Sequence, residues 1–131
     1  MARPKDETEK PLTDTELLIM NALWDLKAGT VNDVSERISK EQGKDYAYTT
    51  VSTLLRILEK KSVVQSQKEG RGHKYFPLIQ KENYQQKATH HLVENVFSGE
   101  ATQLIRNLLG NSQFSKEELS EIKKLLDGKK K

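Results

Sequence analysis

The sequence contains no cysteine. That single absence removes disulfides, thiolate metal sites and cysteine nucleophiles, so any sensing chemistry has to be of another kind. No apolar run approaches the roughly 18 residues a membrane span needs, and the chain does not start with the charged-then-apolar pattern of a secretory signal. The expectation is a soluble, cytoplasmic protein without membrane insertion. Hydrophobic residues are also scarce, 34% against 31% charged, with a mean hydropathy of −0.77. Apolar positions must therefore be confined to one face of each element, as in amphipathic helices. At 131 residues the chain makes one domain or two very small ones, which excludes a large multidomain enzyme and favours oligomerisation as a source of buried surface.

The net charge is only +3, but it is unevenly spread. Residues 1–45 hold 7 Lys and Arg against 10 Asp and Glu, whereas residues 46–80 hold 6 against 2. The middle of the chain is its basic part. Residues 81–131 hold 9 against 7, with Lys129, Lys130 and Lys131 at the very end. We read 128–131 as a frayed basic tail and 1–11, charged and proline-flanked, as a disordered arm.

Between these ends the helical signals are regular. Thr13 and Glu16 form a capping-box pattern, followed by Leu17, Met20, Leu23 and Trp24 at helical spacing, with Trp24 a core anchor. This first helix runs to about Lys27, with Gly29 closing it. Thr30 is placed to cap a second helix marked by Val31, Val34 and Ile38, which ends near Gly43. A third helix starts around Ala47, and its Val51, Leu54, Leu55 and Leu58 obey the i, i+3, i+4, i+7 rule. Opposite them project Thr49, Ser52, Thr53, Arg56 and Lys60, a face of hydroxyls and cations that we read as free of acid. Such a face suits phosphates and base edges better than a protein groove. Thr49, Thr50, Val51 and Thr53 put four β-branched residues within five positions, which depresses helix propensity and calls for a selective reason beyond local stability. Tyr46 and Tyr48 flank the start of this helix, where either can hydrogen-bond a phosphate.

After Lys61 the pattern changes to two short strands around the turn Glu69-Gly70-Arg71-Gly72, ending at Pro77. Lys68, Arg71, His73 and Lys74 against a lone Glu69 make the hairpin basic. Tyr75 and Phe76 alternate, one facing the core and the other covering it. Three further amphipathic helices follow, marked by Tyr84, Ala88, Leu92 and Val96, then by Leu104, Ile105, Leu108 and Leu109, then by Leu119, Ile122, Leu125 and Leu126. Gly99 and the pair Gly110-Asn111 separate them, and Ser115 with Glu118 caps the last. Helices this short bury little alone, so Leu92, Val96, Leu104, Ile105, Leu108, Leu119, Ile122 and Leu126 are expected to interlock with a second copy.

Three helices followed by a basic hairpin is the order of a winged helix-turn-helix, whose third helix enters the major groove while the wing touches backbone. The expected fold is mainly α, with a winged helix-turn-helix DNA-binding domain over 12–78 and a helical dimerisation domain over 79–127. The residues expected to meet DNA are Tyr48, Thr49, Thr50, Ser52, Thr53, Arg56, Lys60, Lys68, Arg71 and Lys74. The stretches LTDTELLIMNALW, AYTTVSTLLRILEKKSVV and GRGHKYFPL resemble the penicillinase-repressor family of winged-helix regulators, over roughly residues 12–126. The resemblance implies a homodimeric transcriptional repressor whose C-terminal helices dimerise, which often partners a membrane-bound sensor metalloprotease. Thr49, Thr50, Ser52, Thr53 and Arg56 fall where the family's DNA-reading helix makes its contacts, and Arg71 and Lys74 fall in its wing. Ser62 stands where the family often has glycine, and Ile57 where some members have arginine, so base preference does not transfer. The cysteine-rich metal site of the family's copper-responsive branch has no counterpart here. In the penicillinase branch derepression resembles proteolytic cutting at an Asn-Phe bond that aligns near Asn107-Leu108, where the asparagine matches and the phenylalanine does not.

No catalytic constellation accompanies these features. His90 and His91 are adjacent, so on a helix they point about 100° apart, with no further ligand at a supportive spacing for a metal. No nucleophile elbow accompanies any histidine, and Gly70-Arg71-Gly72 is too short for a phosphate-cradling loop. Neither an enzyme nor a bound cofactor is expected. A DNA-binding repressor on a palindromic operator is the primary expectation; a winged-helix adaptor that binds protein, without DNA specificity, is the alternative.

Overall fold

A computed structural model describes residues 11–111 and 113–129. Residues 1–10 of the expected arm and 130–131 of the expected tail lie outside the described residues. The elements run α1 (Asp14–Leu26), β1 (Gly29–Thr30), α2 (Val31–Gln42), α3 (Tyr48–Lys60), β2 (Val64–Glu69), β3 (Gly72–Pro77), α4 (Lys81–Asn95), α5 (Ala101–Asn111) and α6 (Lys116–Lys129). Contacts divide the chain between His91 and Leu92, inside α4.

In the first unit the capping box is present in full: Thr13 Oγ1 accepts from the Glu16 amide at 3.1 Å, and Glu16 Oε1 accepts from the Thr13 amide at 2.9 Å. α1 ends one residue earlier than the glycine suggests, because Lys27 itself takes the left-handed conformation with φ 71°. Gly29 is released for another use. Its backbone pairs with Tyr75 as part of a third strand that sequence analysis did not anticipate, giving an antiparallel sheet of order β1-β3-β2. A side chain at Gly29 meets Asp33 Cβ at 3.2 Å and Leu26 Cδ1 at 3.4 Å, so close packing, not turn geometry, explains the glycine. Two residues make too short a strand to leave a periodic signature.

The core is formed by Ile19, Met20, Leu23, Val34, Ile38, Val51, Leu55 and Leu58 with Val63 and Val64 from the start of the hairpin. Tyr75 is buried and Phe76 half-buried, as their alternation predicts. Trp24 anchors the segment after the hairpin: its Nε1 donates to the Ile79 carbonyl at 2.9 Å, and its ring lies 5.8 Å from that of Tyr84. Glu16 is the buried charge, 2% exposed, and its Oε2 meets Lys61 Nζ at 3.0 Å. Burial alone raises its carboxyl pKa. Bonds from the Thr13 amide, Lys61 and the Thr13 hydroxyl outweigh that and leave it below the ordinary value.

In the second unit α5 continues through Gly110 and Asn111, which therefore do not separate the helices. Asn111 Nδ2 bonds back to the Asn107 carbonyl at 3.2 Å. Gly99, at φ 83°, does interrupt the chain before α5. The last helix extends through Lys129, so residues 128 and 129 are helical rather than frayed. α5 and α6 bury none of their described residues.

Candidate nucleic-acid interface

The start of α3 is set by α2. Ala47 offers no side-chain cap, but the preceding residue is held on both sides: Ser35 Oγ donates to the Tyr46 carbonyl at 2.6 Å and Ser39 Oγ accepts from the Tyr46 amide at 2.9 Å. α3 then buries Val51, Leu55 and Leu58 and turns the opposite side outward. Thr53 Oγ1 donates to the Thr49 carbonyl at 2.8 Å, one way a helix accommodates a threonine. At the other end the chain closes in a Schellman arrangement, with the Val63 amide on the Leu58 carbonyl at 2.9 Å and the Ser62 amide on the Glu59 carbonyl at 3.0 Å. Ser62 occupies the left-handed position of that motif, φ 63°, and the hairpin begins directly after it.

The outward residues of α3 are divided between two clefts. One, about 360 Å³, runs between α3 and the wing and is lined by Tyr48, Ser52, Arg56 and Glu59 with Ser66, Arg71, His73 and Tyr75. The other, about 510 Å³, brings Thr49, Thr50, Thr53 and Leu54 against Thr13 and Thr15 of the α1 start. Lys60 is exposed at the C-terminal end of the same face and lines neither cleft. Arg56 is exposed, donating to Ser52 Oγ at 3.4 Å.

The wing is a hairpin whose Glu69 pairs with Gly72, leaving Gly70 and Arg71 as the two-residue turn. Gly70 has φ 61° at the first turn position, where glycine costs least. Cross-strand partners share a face. Ser66 with Tyr75 and Lys68 with His73 thus form one face, and Gln67 with Lys74 the other. Because Tyr75 and His73 line the α3 cleft, Lys68 stands on the α3 side of the wing and Lys74 on its outer side. The expected wing cations are therefore not one cluster.

Glu59, Ser66, His73 and Tyr75 line the cleft between α3 and the wing but were absent from the expected site. His73 joins it through the strand alternation that places it beside buried Tyr75. Glu59 corrects the expectation of an acid-free face: seven residues after Ser52 is two helical turns, so its azimuth differs by only about 20°. Its Oε2 accepts from the Ser66 amide at 3.0 Å and from Ser66 Oγ at 2.7 Å. Burial pushes the Tyr75 phenol pKa up, and Glu59 and Tyr48 push the same way against Arg56. Tyr75 is thus an uncharged wall of the cleft at neutral pH.

Among the described residues no group of three or more His, Asp or Glu could hold a metal ion, and no helix is long and apolar enough to cross a membrane. A family model described as penicillinase repressor matches residues 12–128. The chain belongs to the penicillinase repressor family. The penicillinase repressor of Bacillus licheniformis is 29% identical over 116 residues, spanning 88% of this chain and 89% of that one. The methicillin resistance regulatory protein MecI of Staphylococcus aureus (strain N315) is 24% identical over 124 residues, 95% of this chain and 99% of its own. Among solved structures, hsRosR-S4 shares the fold, with a TM-score of 0.56 and 13% identity over 95% of this chain and 94% of that one. The penicillinase repressor family is one of transcriptional repressors rather than enzymes.

Proposed function

We propose that this chain is a sequence-specific DNA-binding transcriptional repressor, acting as a homodimer on a palindromic operator. One observation carries the reading: the outward side of α3 presents Tyr48, Ser52 and exposed Arg56 across a cleft from Arg71 of the wing. A helix with outward hydroxyls and an arginine suits base edges, and a basic hairpin beside it suits the flanking phosphates. Tyr48, Thr49, Thr50, Ser52, Thr53 and Arg56 read the groove in this proposal. Lys60, Lys68, Arg71 and Lys74 meet backbone, Lys74 from the outer side of the wing.

The homodimer rests on the apolar stripes of the last helices. Val96, Ile105, Leu108, Leu119 and Leu126 are between 45% and 65% exposed in the single chain, and Leu92 is 37% exposed. Leu104 and Ile122 are half-buried on the same helices. A second copy covers such faces most simply, and two-fold symmetry then matches a dyad operator. Release through a cognate membrane sensor protease, cutting at Asn107-Leu108, completes the proposal. That bond lies within exposed α5, so cutting requires a local opening of the helix.

The deciding experiment compares variants on a duplex selected by the parent protein from a random-sequence pool. Arg56→Ala costs about 1–3 kcal/mol and relaxes preference at one base position, whereas Lys74→Ala weakens every sequence alike and lowers the salt slope by about 1. Unchanged affinity for Arg56→Ala means that α3 is not the helix that meets DNA.

A further inference from the structure

A negative charge in a cleft meant for phosphates needs a reason. Glu59 has one beyond composition: the geometry points to Glu59 as a positioning residue that ties the wing to α3, so that Arg56 and Arg71 address one duplex together. This inference rests on the DNA-binding reading above.

Three observations carry it. β2 is one of the two edge strands of the sheet, so an amide on its outer side has no neighbouring strand to pair with. Glu59 supplies the missing acceptor, taking both the amide and the hydroxyl of Ser66 on a single carboxylate oxygen, at 3.0 and 2.7 Å. Bonds to an ionised acceptor are roughly twice as strong as neutral ones. Second, the carboxylate is spent on the strand rather than on a cation, since no ion pair involves Glu59 among the described residues. Third, Ser66 lies close to the outer limit of the wing's anchorage, one residue inside the level at which β1 still holds Lys74. Val63, Val64 and Tyr75 hold the base of the hairpin in the core, but every residue from Gln67 to His73 is exposed. Glu59 is thus the outermost tether between α3 and the hairpin, one turn along the helix from Arg56, and the arm beyond it carries Arg71.

Loss of the carboxylate should leave the core intact and let the tip swing, which removes Arg71 from the contact without unfolding the domain. Salt-dependent anisotropy on the duplex selected by the parent chain tests this, using E59A, R71A and the double variant. We expect E59A to weaken binding about fivefold and to lower the salt slope by about one phosphate. R71A then weakens the parent about as much but changes E59A by less than about twofold, because the contact is already lost. E59Q keeps an acceptor oxygen for both bonds and restores most of the affinity. If E59A proves unfolded by circular dichroism, S66A replaces it in the same cycle, deleting the shorter bond with no change in the core. Additive costs for E59A and R71A, with an unaltered salt slope, overturn the positioning role while leaving the DNA-binding reading in place. A parent chain that enriches no duplex from the pool overturns that reading and, with it, this one.

Discussion

Replacing Ser62 by glycine should stabilise the winged unit, and the size of the gain follows from the joint between α3 and β2. Ser62 sits at φ 63°, where an L-residue pays roughly 1–2 kcal/mol for the contact of its Cβ with backbone. The position is fixed by two flanking bonds, Val63 amide to Leu58 carbonyl and Ser62 amide to Glu59 carbonyl, and by burial of both Leu58 and Val63. The chain cannot relax out of it cheaply. Ser62 is exposed and its hydroxyl makes no bond among the described residues, so its removal forfeits nothing there. Against the relief stands the extra freedom of glycine in the unfolded chain, about 0.4–1 kcal/mol. The net gain is about 0.5–1 kcal/mol, worth about 2–8 °C in melting temperature for a unit of this size. Urea unfolding followed by the fluorescence of Trp24, the single tryptophan, reads that unit through its contacts with Ile79 and Tyr84. Ser62→Ala retains the strain and should match the parent. A Ser62→Gly midpoint at or below that of the parent, with the same denaturant slope, refutes the reasoning.

Gly29→Ala should act in the opposite sense, losing about 1 kcal/mol because the new methyl presses on Asp33 of the α2 capping box and on Leu26; an unchanged urea midpoint would show that these neighbours yield freely. The Glu16 carboxyl, held below its ordinary value of 4.5, adds stability above that value and loses it as pH falls through the lowered one, so Glu16→Gln should flatten the acid limb of a stability–pH curve. Lys61→Met, which strands the buried carboxylate, should cost more at pH 7, about 3 kcal/mol, than Glu16→Gln, which leaves an ammonium that is 31% exposed. Equal losses for the two would place the value of the pair elsewhere. For the proposed homodimer, Ile105→Asp should raise the dissociation constant at least about a hundredfold, since an isologous interface loses the residue twice; sedimentation across a dilution series measures it, and an unaltered constant places the proposed contact outside α5.

Local signals in the sequence were sufficient where the physics is local. The Thr13-Glu16 box, the Thr30 cap, the Gly43 terminus and the apolar rows of α1 to α3 all rest on groups within four residues of one another, and each is present in the structure. What escaped depends on distant groups. Glu16 reads as half of a capping box, yet its second oxygen meets Lys61, 45 positions away. Gly29 reads as a helix stop, yet it is held by a strand that arrives more than 40 residues later. Its neighbour Lys27 took the left-handed turn instead, at a position where residue type gives no warning.

The candidate site shows the same division at finer scale. Arg56 and its hydroxyl neighbours were visible because helical spacing places them together whatever the rest of the fold does. Glu59 obeys the same spacing, and the azimuth carried two turns on from Ser52 reaches it. The wing cations needed one more fact, which face of the hairpin lies against α3. Once Tyr75 is known to be the buried aromatic, alternation alone assigns His73 and Lys68 to the α3 side and Lys74 to the other, so the burial of one tyrosine settles the orientation of three polar side chains. Charge counted along the strand gives a single basic patch; charge counted by face gives two, and only the inner one shares a cleft with Arg56.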